Sequence, residues 1–191
     1  MLLRHISLAA VCWFLCVGAA IAQPSKFVVD NVHSSMIFGV GHLQLSYTYG
    51  RFNKISGEFT LDAADPTKSQ FKITVDAASV DTNDAKRDEH LRKADFFDVE
   101  KFPTIEFVST AVTKTEKGLD LKGNMTLHGV TKEITIPVTK VGEGKTPFND
   151  YRAGFLSQFM LKRSEYGMTG AAEMVGDDVS ITISFEGVKQ P

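Results

Sequence analysis

Residues 119–138 read LDLKGNMTLHGVTKEITIPV, and the spacing of their apolar side chains decides the fold. Leu119, Leu121, Met125 and Leu127 alternate with polar neighbours, His128-Gly129 offers a turn, and Ile134, Ile136 and Val138 alternate again. A period of two marks strands with one buried face. A connection this short makes the two strands antiparallel, because a parallel pair needs a crossover of a dozen or more residues.

The same period recurs on both sides of this hairpin. It is clear in Phe71-Ile73-Val75, Phe155-Ser157-Phe159-Leu161 and Val179-Ile181-Ile183-Phe185, and weaker over 26–30, 35–42, 51–61 and 104–113. Turn residues separate the runs at Asp65-Pro66, at Glu116-Lys117-Gly118 and through a long Gly142–Asp150 loop. About eight or nine antiparallel strands follow, which close into a barrel or stack as a sandwich. One segment reads as a helix, Asn83 to Lys93, with Asp81, Thr82 or Asn83 to cap it and a Glu89–Lys93 pair at i,i+4. Its apolar content is thin, so it lies on the surface. The segment after it, with Phe96, Phe97 and Phe102, reads as a loop that caps something apolar.

The first 22 residues belong to a different class. Arg4 and His5 precede an apolar stretch that ends in Ala20-Ile21-Ala22, the pattern of a cleaved signal peptide. Cleavage after Ala22 leaves a single domain over residues 23–191 in a bacterial periplasm. The leader carries Arg4, both cysteines and the only tryptophan, so the mature chain has 20 Lys+Arg against 23 Asp+Glu, a formal charge of −3 and no cysteine. Disulfides, thiolate metal sites and a cysteine nucleophile are thereby excluded from it. Charges of both signs are mixed along the chain without a basic run, which excludes nucleic acid as a partner.

Positive evidence for catalysis is lacking. His33, His42, His90 and His128 form no metal-binding spacing, there is no G-x-S-x-G elbow, and no glycine-rich phosphate loop occurs. The expectation is a protein without cofactor or metal that is not an enzyme. The aromatic balance is unusual: the mature chain has 13 Phe, four Tyr and no Trp. Many of these rings alternate along strands, where they either fill the interior or line a hole for an apolar molecule. Composition does not choose between the two.

A wider set of residues resembles a known family. Asp30-x-x-His33-Ser34, Asp76-x-x-Ser79-Val80-x-Thr82, Arg87-Asp88-x-His90-Leu91, Asp95-Phe96-Phe97-Asp98-Val99-x-x-Phe102-Pro103, Gly123-x-Met125-Thr126-Leu127-His128-Gly129 and Arg163-Ser164-x-Tyr166-Gly167-Met168 are similar to the YceI family of periplasmic lipid-binding proteins. The resemblance implies a mainly β fold, a lipocalin-like antiparallel barrel of about eight strands with one short surface helix. Its lumen would hold a polyisoprenoid, an isoprenoid quinone or a fatty amide for transport, storage or sequestration.

Alternation then assigns Phe38, Phe59, Phe71, Ile73, Val75, Phe107, Met125, Phe155, Phe159 and Ile183 to the lumen, with His42, Arg87, His90 and Arg163 near the mouth to meet a polar head group. Transient membrane contact and a homodimer are further expectations, for which no single residue argues. Two alternatives remain at this point: a redox accessory or enzyme that uses quinone or isoprenoid as substrate, and a solid-cored interaction module.

Overall fold

The computed structural model describes residues 23–191; the leader expected over residues 1–22 lies outside them. Eleven strands are found among the described residues: β1 (Ser25–Val29), β2 (Ser35–His42), β3 (Ser46–Phe52), β4 (Ile55–Leu61), β5 (Gln70–Asp76), β6 (Val80–Asp81), β7 (Thr104–Lys114), β8 (Leu119–Leu127), β9 (Val130–Lys145), β10 (Tyr151–Lys162) and β11 (Val175–Lys189). They form one antiparallel sheet that closes on itself through β1 and β11.

Three places in this barrel are filled by pairs of shorter strands. β1 and β2 both lie along β11, β4 pairs with β1 while β3 pairs with β2, and β5 pairs with β4 while β6 pairs with β3. With β7, β8, β9, β10 and β11 this makes eight strand positions, a size whose interior side chains fill or nearly fill. The Leu119–Val138 hairpin forms as its alternation predicts, from Leu119 opposite Val138 to Leu127 opposite Val130.

A bulge between Ser109 and Ala111 in β7 shifts the phase of alternation, so that Phe107 and Val112, five residues apart, are both buried. Gly123 stands opposite Ser109, and a Cβ there would come within 2.7 Å of the Phe107 ring. The glycine lets that ring lie across the strand.

Five phenylalanines close one end of the interior. Phe27 stacks on Phe59 at 4.9 Å, Phe59 on Phe71 at 5.6 Å and Phe155 on Phe185 at 5.3 Å, while Phe59 and Phe155 meet edge to face at 5.5 Å. These offset and edge-on geometries are the favoured ones for aromatic rings. Each ring buried in this way stabilises the fold by roughly 1.5–3 kcal/mol. Gly187 makes room for the plug, since a Cβ at that position would sit 2.5 Å from the Phe59 ring.

The other end is covered by α1 (Ala85–Leu91) and residues 92–103. α1 is shorter than the sequence suggests and its cap is Asp84, whose carboxylate accepts from the Arg87 amide at 2.9 Å. Asn83 adopts a left-handed conformation (φ 62°), which places it and the two residues before it outside the helix. Glu89 and Lys93 pair at 3.2 Å, as the spacing predicts.

Two strand boundaries also differ from the expectation. The run read over 51–61 is broken at Asn53-Lys54: its first two residues end β3 and Ile55–Leu61 form β4, while the rest of β3 shows no run because its outward Tyr47 and Tyr49 are apolar and its inward Gly50 is small. β9 continues to Lys145 through the expected loop, and only residues 146–150 turn. That extension runs beyond the core, paired to β10 with both faces wet, so no alternation marks it.

Candidate ligand-binding site

Between the phenylalanine plug and the α1 cover lie two apolar cavities. The first, about 50 Å³, is bounded by Phe71 and Phe185 of the plug and by Ile73, Val75, Phe107, Leu121, Ile136, Val138, Phe159 and Ile183. The second, about 90 Å³, is bounded by Phe38, Val40, Phe52, Leu161, Val179 and Ile181 from the strands and by Leu91, Phe96 and Phe97 from the cover. Met36, Ile105 and Met125 line both cavities and form the constriction between them.

Either chamber alone is smaller than the ~150 Å³ apolar cavity that accepts one benzene ring, and pockets for extended ligands run from roughly 300 Å³ upward. A long chain therefore fits only if side chains move. The constriction is built for that, because unbranched methionine changes shape at low cost. The few polar groups on the walls have partners: the Ser157 hydroxyl donates to the Pro137 carbonyl at 2.7 Å, and Arg163 is held by main-chain oxygens.

Of the ten side chains assigned to the lumen by alternation, eight line a chamber. Phe38 lies on the second, while Phe71, Ile73, Val75, Phe107, Met125, Phe159 and Ile183 lie on the first. Phe59 and Phe155 are 1% exposed within the plug, where rings rather than space surround them. Met36, Ile105, Leu121, Ile136 and Phe185 are lining residues that the assignment missed, although each falls on the inward phase of its strand. The contribution of Leu91, Phe96 and Phe97 depends on how the cover folds back, which no periodicity encodes.

The four polar side chains do not converge. Arg163 is 6% exposed, and its guanidinium donates to the carbonyls of Gly176 (2.9 Å), Met168 (3.0 Å), Gly170 (2.7 Å) and Val175 (2.9 Å). Burial works against its charge, and these four acceptors offset that cost. Arg87 donates to the Thr82 hydroxyl and carbonyl, both at 2.8 Å, and so ties the helix to its own lead-in. His90 is exposed, 2.7 Å from Asp95 Oδ2 and edge-on to Phe96, whereas His42 sits exposed at the end of β2.

Away from the lumen, Asp30, His33 and Glu186 bring three potential metal-ligating atoms within 4.8 Å of one another. A cation is already supplied there by the Arg152 guanidinium, which donates to Asp30 Oδ2 at 2.6 Å, to Asp150 Oδ2 at 2.9 Å and to Glu186 Oε1. Hydrogen bonds from His33 and Arg152 hold the Asp30 carboxyl down at about 2. The cluster clasps β1, β10 and β11 where the sheet closes.

An eight-position antiparallel barrel with an apolar interior, one end plugged and the other covered, defines the lipocalin-like class. Residues 27–187 match the YceI-like domain, and the chain belongs to that family. A UPF0312 protein of Serratia proteamaculans is 40% identical over 184 residues, covering 96% of each chain. Among solved structures, Burkholderia cenocepacia BcnA superposes with a TM-score of 0.74 at 25% identity, covering 83% of this chain and 98% of that one. A polyisoprenoid binding domain from Saccharophagus degradans, implicated in plant cell wall breakdown, shares the fold at a TM-score of 0.67 and 14% identity, over 88% of this chain and all of that one.

Proposed function

We propose that this protein binds one long-chain apolar molecule, a polyisoprenoid, an isoprenoid quinone or a fatty amide, and is a binding protein rather than an enzyme. The observation that carries the reading is the pair of apolar chambers in line, divided only by Met36, Ile105 and Met125. Apolar cavities of this kind stay dry and take up apolar matter. The polyisoprenoid-binding domain of the same fold supports the choice of ligand class.

A hydrocarbon chain would displace the methionines, join the chambers and bury its methylenes at about 0.8 kcal/mol each. Ordering a flexible chain offsets a large part of that gain. The head group stays at the α1 end, where Arg163 borders the second chamber with its donors held by main-chain carbonyls, and His42, Arg87 and His90 stand outside that lining. With the leader expected over residues 1–22, the setting is the periplasm, and the role is to carry, store or sequester lipid there, with transient membrane contact. A homodimer fits the same role.

Purified mature protein, denatured in organic solvent and analysed by mass spectrometry, should release close to one equivalent of an unaltered long-chain lipid. Native mass spectrometry of the same sample reads ligand mass and subunit count together. Protein that releases no apolar molecule, or one converted by incubation with the protein, would contradict the binding reading.

A further inference from the structure

The barrel wall opens between β9 and β10. The ladder between β9 and β10 ends at Ser157 opposite Val138. Beyond that point β9 stays paired with β8 as far as Val130, and β10 stays paired with β11 as far as Lys162. Two strand edges thus face each other across a seam. The residue at which pairing stops explains why: Pro137 has no N–H to donate, and proline is confined to strand edges for that reason.

The seam is a window with a frame. The Ser157 hydroxyl bound to the Pro137 carbonyl closes one end. The other is closed by Lys132 Nζ, 2.9 Å from Glu165 Oε2, and by His128 Nδ1, which donates to the Tyr166 carbonyl at 3.0 Å. Five residues of β10, 158–162, lie between, which at about 3.3 Å per residue makes an opening roughly 17 Å tall. Outside it runs a groove of about 290 Å³ floored by Ile134, Phe159 and Leu161.

Phe159 lines both this groove and the first chamber, and Leu161 lines both the groove and the second. Each is half-buried, so one layer of side chains separates each chamber from solvent. The α1 cover is fastened by contrast: Arg92 donates to the carbonyls of Ala78 (2.8 Å) and Val80 (3.0 Å), and the Asp88 carboxylate accepts from the Thr82 amide and hydroxyl. Lifting the cover breaks those bonds. Turning Phe159 and Leu161 aside breaks no ladder.

We propose that the β9–β10 seam is the doorway of the barrel, through which an acyl or isoprenoid chain passes sideways into the two chambers, with Phe159 and Leu161 as its leaves. This rests on the binding reading above and adds the route.

The test bridges the seam from outside. Thr135 and Met160 are exposed, line the groove and face each other if the β9–β10 register is continued. In the mature chain, which has no other thiol, Thr135→Cys with Met160→Cys can be joined after folding by a short bis-methanethiosulfonate that reductant later removes. Stopped-flow fluorescence then follows uptake of cis-parinaric acid and its release into phosphatidylcholine vesicles. Bridged protein should exchange the probe at least tenfold more slowly, with full recovery on reduction, and Phe159→Ala should exchange it at least tenfold faster than the parent. Equal rates in bridged and reduced protein overturn the doorway while leaving binding intact. A parent that takes up no probe overturns the binding reading and the doorway with it.

Discussion

Arg163 shows how a side chain can sit beside an apolar chamber and be spent elsewhere. Its guanidinium gathers carbonyls from Met168, Gly170, Val175 and Gly176, fixing the segment that leads into β11. Arg163→Ala leaves those acceptors without a donor in a buried setting, and the expected loss is at least about 3 kcal/mol. Arg163→Lys should recover less than about half of it, since an ammonium cannot reproduce the planar fork. Urea denaturation of the three proteins decides this, and a lysine variant as stable as the parent would refute it. From sequence, a cation expected near the barrel mouth reads as a charge-assisted contact for a head group, because nothing in the order of residues says which carbonyls a later loop will bring to it. Lumen side chains were legible for the opposite reason: strand alternation fixes which way Phe71, Ile73 or Ile183 points before any partner is known.

At the scale of elements, the cover begins with a helix too short to stand alone. α1 has seven residues, well below the ~12–15 at which an isolated helix becomes marginally stable. Its order therefore depends on the Asp84 cap, on Arg92 and on the Thr82–Asp88 bonds. Asp84→Ala should cost about 1 kcal/mol locally. Amide hydrogen exchange over residues 85–99 should accelerate roughly fivefold while the β8–β9 hairpin is unaffected; unchanged protection would assign the cover's order to Arg92 and Asp88 alone.

The elements best read from sequence are those with one wet and one dry face, such as β8, β10 and β11. Where that contrast fails, the sequence is silent: β3 carries its tyrosines outward, and the end of β9 beyond Val138 has no buried face at all. The break of pairing at Pro137 was equally hidden within a clean Ile134-Ile136-Val138 run, since alternation reports side-chain direction and not which backbone amides find partners.

For the whole molecule, closure of the sheet is secured by the Asp30–Arg152–Glu186 clasp, which spans residues far apart in the chain. The Asp30 carboxyl titrates at about 2 when folded, against 3.8 ordinarily. The unfolded chain therefore binds more protons between those values, so the clasp's stabilisation is complete above about pH 4 and is lost as pH falls toward 2. Asp30→Asn should be less stable than the parent at neutral pH, and the gap should narrow below about pH 3 in urea titrations. A gap that stays constant across that range would remove Asp30 from the acid response.

The phenylalanine plug has a consequence for traffic. A bore blind at that end offers no passage past Phe59 and Phe155, so an apolar chain can enter or leave only on the side of those rings that faces the seam and the α1 cover.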